Sequence, residues 1–258
     1  MGRENAPTRI ESVERSLEIV QIMTDLGTAS ATEIAERLNL AKSTTHYHLK
    51  TLEDMEFVVR KENGYRIGMK LLTMGHDLVN QMNLYRIGKP NVDRLAQETG
   101  ELSILMVEEH GLGYYIYDSR GDKAVNFDTV GSEKYLHNNA LGKAVLAHLP
   151  DERVDAIIDR HGLPKTTEQT ITDRETLDAE LTTAYTEGVT FDREEQLEGL
   201  CCVGAPIRNP QTTDDHSIQG AISVAVPASR AQGEYFTDEL ATAVTDTANL
   251  IELELADY

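Results

Sequence analysis

The sequence predicts an α+β chain in two parts. Short helices closed by a two-stranded hairpin come first; beyond a connecting helix lies an antiparallel sheet with helices before, within and after it. Three observations carry this expectation. Apolar residues recur at spacings of three and four through residues 9–55. Asn63-Gly64 separates two short strand-like runs, as a hairpin turn does. After Gly100, strand runs alternate with turns and helical stretches, which is the order of an α+β sheet domain.

Taken in order, residues 9–26 place Ile10, Val13, Leu17 and Val20 beside Ile19, Met23 and Leu26, an amphipathic helix that Gly27 stops. Ser30 with Glu33 three residues on makes a capping box, starting a helix at Ala31 whose buried stripe is Ile34, Ala35 and Leu38. Asn39-Leu40 turns the chain into a further helix, from about Lys42 to Met55. Projected at ~100° per residue with Leu52 pointing inward, this helix places Thr45, His48, Leu49, Met55 and Glu56 on the core side. Ser43, His46, Tyr47 and Lys50 fall on the opposite side, with Lys42 and Thr44 at the helix start. Donors, an aromatic edge and cations, with no outward carboxylate over the first two turns, are what a helix needs to meet base edges and phosphates. Phe57–Arg60 and Tyr65–Gly68 then flank Glu62-Asn63-Gly64, where Asn-Gly favours a type I′ turn, so Arg60, Lys61 and Arg66 lie on a protruding wing able to grip flanking phosphate. The outline is a winged helix-turn-helix.

These residues resemble a known group. ATEIAERLNLAKSTTHYHLKTLEDMEFV, followed by a short wing and a long apolar helix, is similar to the IclR family of bacterial and archaeal transcription regulators. The resemblance covers nearly the whole chain. It implies a winged helix-turn-helix DNA-binding domain over 1–68, a linker and dimerisation helix over 69–85, and a GAF-like effector-binding domain over 86–258. Two positions depart from the family pattern: His48 stands where an apolar residue is usual, and Glu56 where Gly commonly ends the recognition helix. From the residues themselves, Met69–Tyr85 is apolar on two sides through Leu71, Leu72, Met74, Leu78, Val79 and Met82. Such a helix is expected either to pair with a second copy or to be buried within one chain.

Lys89–Thr99 is expected to be helical, with Pro90 near its start and Gly100 as its stop. Strands are expected at Leu102–Val107, Leu112–Tyr117, Ala124–Thr129, Val189–Asp192, Leu200–Ile207 and Ile218–Val226. Helices are expected at Ala140–Leu149, Asp151–Arg160, Asp173–Glu187 and Thr237–Leu255. The segment Leu136-His137-Asn138-Asn139-Ala140-Leu141-Gly142-Lys143-Ala144 matches the family's LHxxxxGKA pattern, where the resemblance has a helix start, here Asn139, Ala140 and Leu141, face the effector. Physically, free N–H groups at a helix start suit an oxyanion; alternatively, Gly142 simply lets this helix dock closely on the sheet. The stretch from Phe191 to Ile207 is similar to the family's D.EE..G..C.A.PI segment. Residue by residue, the resemblance turns Asp192, Leu200 and Cys202 toward the effector, with Ser223 matching a pocket serine and Ala225 standing where a second serine can occur. The expected ligand is a small hydroxylated or carboxylated metabolite.

Composition bounds the rest. The chain has 258 residues and a formal net charge of −20. Residues 1–75 hold 10 Lys+Arg against 11 Asp+Glu, leaving 14 against 33 for the remainder, so the acid sits on the C-terminal body. Lys is scarce and Trp absent, as in a salt-adapted, haloarchaeal type of cytoplasm. No apolar run suits a membrane span, no secretory leader is apparent, and the cysteines are the adjacent pair Cys201 and Cys202, so a reducing cytoplasm is expected. GxSxG, GxxxxGK[ST], HExxH and CxxC motifs are missing, so neither an enzyme, a cofactor nor a metal is expected. A thiol redox sensor, or a Cys-His-Asp catalyst built from Cys202, His137 and Asp192, is the alternative from another class. The function expected is a homodimeric or tetrameric regulator that reads a palindromic operator in double-stranded DNA under the control of a small effector.

Overall fold

The computed structural model describes residues 9–126, 129–209 and 218–257. The chain divides into two compact units, one running to Leu78 and the other starting at Val79. In the first, α1 (Glu11–Leu26), α2 (Ala31–Arg37) and α3 (Lys42–Asp54) precede the hairpin β1 (Val58–Lys61) and β2 (Gly64–Ile67). Gly27 ends α1 with φ 71°. The capping box forms: Glu33 N–H donates to Ser30 Oγ at 3.2 Å and Ser30 N–H to Glu33 Oε2 at 3.4 Å. Ile19, Met23, Ile34, Leu49, Leu52, Val58 and Tyr65 close one core.

The first unit departs from expectation at two turns. Neither Glu62 nor Asn63 takes a positive φ, so the hairpin is not type I′. Gly64 is required for another reason: a Cβ there would run into the Ala29 carbonyl, because Ala29 and Tyr65 exchange backbone hydrogen bonds of 2.9 and 2.8 Å. At the end of α3, Met55 and Glu56 are exposed rather than inward. The helix stops at Asp54 and Glu56 takes φ 66°, so the 100° projection fails beyond that point. His48 is half-buried, and its Nδ1 meets Ser16 Oγ at 2.9 Å, which gives the core-side polar ring a partner on α1.

The stretch expected as one helix over 69–85 is two. Helix α4 (Lys70–Gln81) ends before Met82, whose extended backbone (ψ 121°) starts α5 (Asn83–Thr99). Pro90 therefore lies inside a helix and not near its start. Leu72, Met74 and Leu78 are exposed on α4, whereas Val79 and Met82 turn into the core of the second unit.

That unit is built on β3 (Leu102–Glu109), β4 (Leu112–Arg120), β5 (Glu133–Tyr135), β6 (Thr190–Arg193), β7 (Leu200–Arg208) and β8 (Ile218–Pro227). Among the described residues they form one antiparallel sheet in the order β5-β4-β3-β8-β7-β6. The strand expected at 124–129 is absent over 124–126, and residues 127–128 lie outside the described residues; the edge strand is β5 instead. Helices α6 (Ala140–Leu146), α7 (Asp151–His161) and α8 (Arg174–Glu187) interrupt the strands. A π-helical turn (Tyr235–Glu239) leads without a break into α9 (Leu240–Ala256), so the expected start at Thr237 falls inside a continuous helical run; α6 stops three residues earlier than expected. Side chains alternate across the strands. Leu105, Cys201, Val203, Ile222 and Val224 pack with α5 and α9 on one face. Leu102, Ile104, Leu200, Cys202 and Ala225 pack with α6, α7 and α8 on the other.

Candidate DNA face and effector site

The N-terminal half of α3 presents Lys42, Ser43, Thr44, His46 and Tyr47 to solvent, with Tyr47 74% exposed, while Thr45 and Leu49 anchor the opposite side. The first turn of α3 has no carboxylate. Lys50 is exposed too, but its Nζ lies 2.5 Å from Asp54 Oδ1, a bond that raises the ammonium pKa. Its charge is thus partly answered within the helix. Tyr47 also borders a groove of about 630 Å³ between α1 and α3, beside the exposed Val13 and Leu17. On the wing, strand register puts Arg60 opposite Tyr65, and Lys61 opposite Gly64. Arg66 pairs with Val59 and is half-buried, its Nη1 donating to Ile67 O at 2.6 Å. Lys42, Arg60 and Lys61 are the exposed candidate cations with no ion pair among the described residues.

In the second unit, all seven residues singled out by sequence gather on the α6 side of the sheet or at the start of α6. Asp192 pairs with Cys202 across β6 and β7, Cys202 with Ala225, and Gly204 with Ser223. Helix α6 is docked directly on this surface. Thr190 Oγ1 donates to Ala140 O at 2.7 Å, and a Cβ on Gly204 would sit 3.0 Å from the Ala140 backbone. Gly142 likewise has no room for a side chain against Leu136. Asn139, Ala140, Leu141, Asp192, Leu200, Cys202 and Ser223 are each at most 6% exposed, so the site is sealed.

The polar atoms in it are unequally committed. Asn139 caps α6, its Oδ1 accepting from Gly142 N–H at 2.8 Å and its Nδ2 donating to Tyr135 O at 2.6 Å. Asn138 Nδ2 donates to Thr166 Oγ1 at 3.1 Å. Both amides at the helix start are therefore occupied, and α6 is only 7 residues long, which weakens the oxyanion argument made from sequence. Asp192 Oδ1 accepts from Glu195 N–H at 2.7 Å, but Asp192 Oδ2 and Ser223 Oγ are buried without a partner. Burial, and then the nearby Glu195 carboxylate, push the Asp192 pKa up to about 7.

Lys143 and Glu195 fall inside the two matched segments, but nothing in the sequence gives either a role. Lys143 is fully buried, and its Nζ donates to Glu195 Oε1 and Oε2 at 2.7 and 2.9 Å and to Glu180 Oε1 at 3.1 Å. These three contacts use all of its N–H donors. Thr166, Thr167 and Thr170 were missed entirely. Only the threonine density of Lys165–Thr172 hinted at them. Cys202 is pushed well above the ordinary thiol range by burial first and by Asp192 second, and Cys201 is raised by burial as well. His137 is directed at Pro164 O, 3.2 Å away, and burial lowers its pKa. A reactive thiolate is disfavoured in these surroundings.

The comparisons agree with this architecture. Residues 12–62 match the IclR helix-turn-helix domain, and residues 76–253 match the family described as bacterial transcriptional regulator IclR C-terminal. The probable HTH-type transcriptional regulator ArcR of Halobacterium salinarum is 30% identical over 254 residues, which cover 96% of this chain and 95% of that protein. The Thermotoga maritima IclR crystal structure superposes with TM-score 0.75 at 26% identity, covering 96% of this chain and all of that one. An IclR homologue from Microbacterium hydrocarbonoxydans, solved in complex with 4-hydroxybenzoate, gives TM-score 0.80 at 23% identity, covering 96% and 100% of the two chains. A winged helix-turn-helix joined to a sheet domain of this kind, matched along nearly its whole length, places the chain in the IclR family of transcriptional regulators.

Proposed function

We propose that operator binding by this regulator is controlled by a small hydroxylated metabolite held on the α6 face of the sheet. The observation that carries this reading is the pair of buried, unpartnered atoms Asp192 Oδ2 and Ser223 Oγ. Leaving buried polar groups unpaired costs free energy, and a ligand that pairs them recovers it. Lys143 has no N–H left for an anion, so a ligand bringing hydroxyl donors to Asp192 suits the site better than a bare carboxylate. Isothermal titration against sugars, sugar acids and aromatic acids including 4-hydroxybenzoate is the test. Binding is expected for a hydroxylated compound and is lost in Asp192→Ala; binding of purely apolar compounds alone, or full affinity in the variant, contradicts the proposal.

In the same reading, two copies joined through the exposed apolar side of α4 present two α3 helices to a palindromic operator, Ser43, His46, Tyr47 and Lys50 addressing the major groove and Lys42, Thr44, Arg60, Lys61 and Arg66 the backbone. The exposed Leu72, Met74 and Leu78 support the pairing. Tyr47→Ala is expected to lose roughly tenfold on the operator, within the ~1–3 kcal/mol of a base contact, while non-specific affinity stays. Equal losses on matched and scrambled DNA, measured by fluorescence anisotropy, remove the base-readout role. The ligand acts by binding one arrangement of the dimer better than another. The acidic C-terminal body and the haloarchaeal relative support a salt-loaded cytoplasm as the setting.

A further inference from the structure

A sealed site must open to admit anything, and the structure offers unequal ways to do so. The sheet beneath is fully laddered from β3 to β8 to β7 to β6. Helix α6 is pinned by the Thr190 hydroxyl and by the two glycines that leave it no clearance. A further wall is residues 162–173, which have neither helix nor strand. This strap packs Leu163 and Ile171 against the same core that contains Cys202 and Leu200. It is fastened mainly by hydroxyl groups: Thr166 and Thr170 donate to Glu195 O at 2.9 and 2.7 Å, and Thr167 donates to Glu194 O at 2.7 Å, while the His137 ring and the Asn138 amide, just before α6, add contacts to Pro164 O and Thr166 Oγ1.

Glu195 therefore meets three neighbours with three different groups. Its N–H holds Asp192 Oδ1, its carboxylate holds Lys143 of α6, and its carbonyl holds the strap. We infer that Glu195 is a positioning residue that couples the ligand-facing Asp192 to its cover, and that residues 162–173 are the gate, opening when the threonine hydroxyls leave the Glu194 and Glu195 carbonyls while the Lys143–Glu195 pair stays closed. Neutral hydroxyl bonds are the weaker fastening and charged ones the stronger, so the strap releases first. Opening of this kind is local, involving one irregular segment and none of the ladder. The inference rests on the effector reading for its purpose but not for its test.

The adjacent cysteines supply the probe. Cys202 lies on the face the strap covers and Cys201 on the opposite face, under α5 and α9. Full-length protein is alkylated with iodoacetamide under native conditions and each cysteine is followed by peptide mass spectrometry, with no effector present. Thr170→Val removes the bond to Glu195 O and the acceptor of the Thr166 and Thr167 N–H groups, and is expected to speed Cys202 labelling at least roughly tenfold, with Cys201 unchanged. Thr170→Ser keeps the hydroxyl and is expected to stay within about twofold of wild type. Thr167→Val repeats the effect with one fewer contact, in case Thr170→Val folds poorly. Rates that rise together at both cysteines, or do not change at Cys202, overturn the gate. Such a result leaves ligand binding at Asp192 standing, and failure of every titration at Asp192 leaves the gate standing.

Discussion

The two units solve opposite problems with similar residues. The first keeps its candidate contacts outside, on a helix and wing whose charges nearly balance. The second folds its candidate contacts inside, beneath a surface that carries nearly all of the chain's excess acid. Lys50 and Lys143 show the difference most plainly. Lys50 meets Asp54 in solvent, where an ion pair is worth little. Lys143 meets Glu195 and Glu180 with no exposed surface of its own, where each charge depends on the others. A cation in the first unit is available to a partner; the cation in the second belongs to the fold.

The largest test of that contrast is Lys143→Met. It leaves Glu195 and Asp192 buried without a counter-charge, and a cost of about 3–5 kcal/mol is expected in denaturant unfolding near pH 8. Lys50→Met is expected to leave the unfolding midpoint unchanged. Comparable losses in the two variants would erase the distinction.

Next comes Asp192→Asn, which keeps an acceptor for Glu195 N–H and removes the charge. The Asp192 carboxyl is raised to about 7 in the folded chain against about 3.9 unfolded, so its protonated form favours folding. Wild-type stability from this group is fully present below the unfolded value and is lost as pH rises through 7. Asp192→Asn is therefore expected to be more stable than wild type at pH 8, by up to about 4 kcal/mol, with the gain shrinking as pH falls from 7 toward 4. A gain independent of pH contradicts the burial argument.

The smallest effect is in the first unit. Glu56 holds φ 66°, a left-handed conformation that costs a side chain about 1 kcal/mol. Glu56→Gly is expected to raise the melting temperature by a few degrees without altering DNA binding. No change would mean that the end of α3 is held by packing alone.

Much of the first unit was legible because its signals are local. The capping box, Gly27 and the inward Thr45 and Leu49 lie within one or two turns of what they organise. Asn63-Gly64 misled because the same dipeptide serves two purposes, and here Gly64 answers to Ala29 across the sheet rather than to its own turn. The break at Met82 was hidden by apolar spacing that runs unbroken through it, although the residues before and after face different surroundings. In the second unit the resemblance pointed to residues that gather on the α6 side of the sheet or at the start of α6. It was silent on what covers them, because Thr166 and Thr170 meet Glu195 across 29 and 25 residues with no periodicity to announce the contact. The double role of Asn139, capping its own helix while holding Tyr135 O, was likewise visible only in three dimensions.

The first unit, kept near neutrality on an acidic chain, is expected to bind its operator mainly through base contacts and shape. Each neutralised phosphate contributes about −0.9 to the slope of log K against log salt. In the proposed reading Lys50 addresses base edges, and Arg66 is half-buried with its guanidinium on Ile67 O, which leaves Lys42, Arg60 and Lys61 as the candidate phosphate cations fully open on each winged helix. Operator affinity measured by fluorescence anisotropy from 0.5 to 3 M KCl should then fall with a slope of about −3 per winged helix, with specific binding still measurable at the highest salt. A slope of about −5 or steeper per winged helix, with binding gone by 1 M KCl, would contradict the account.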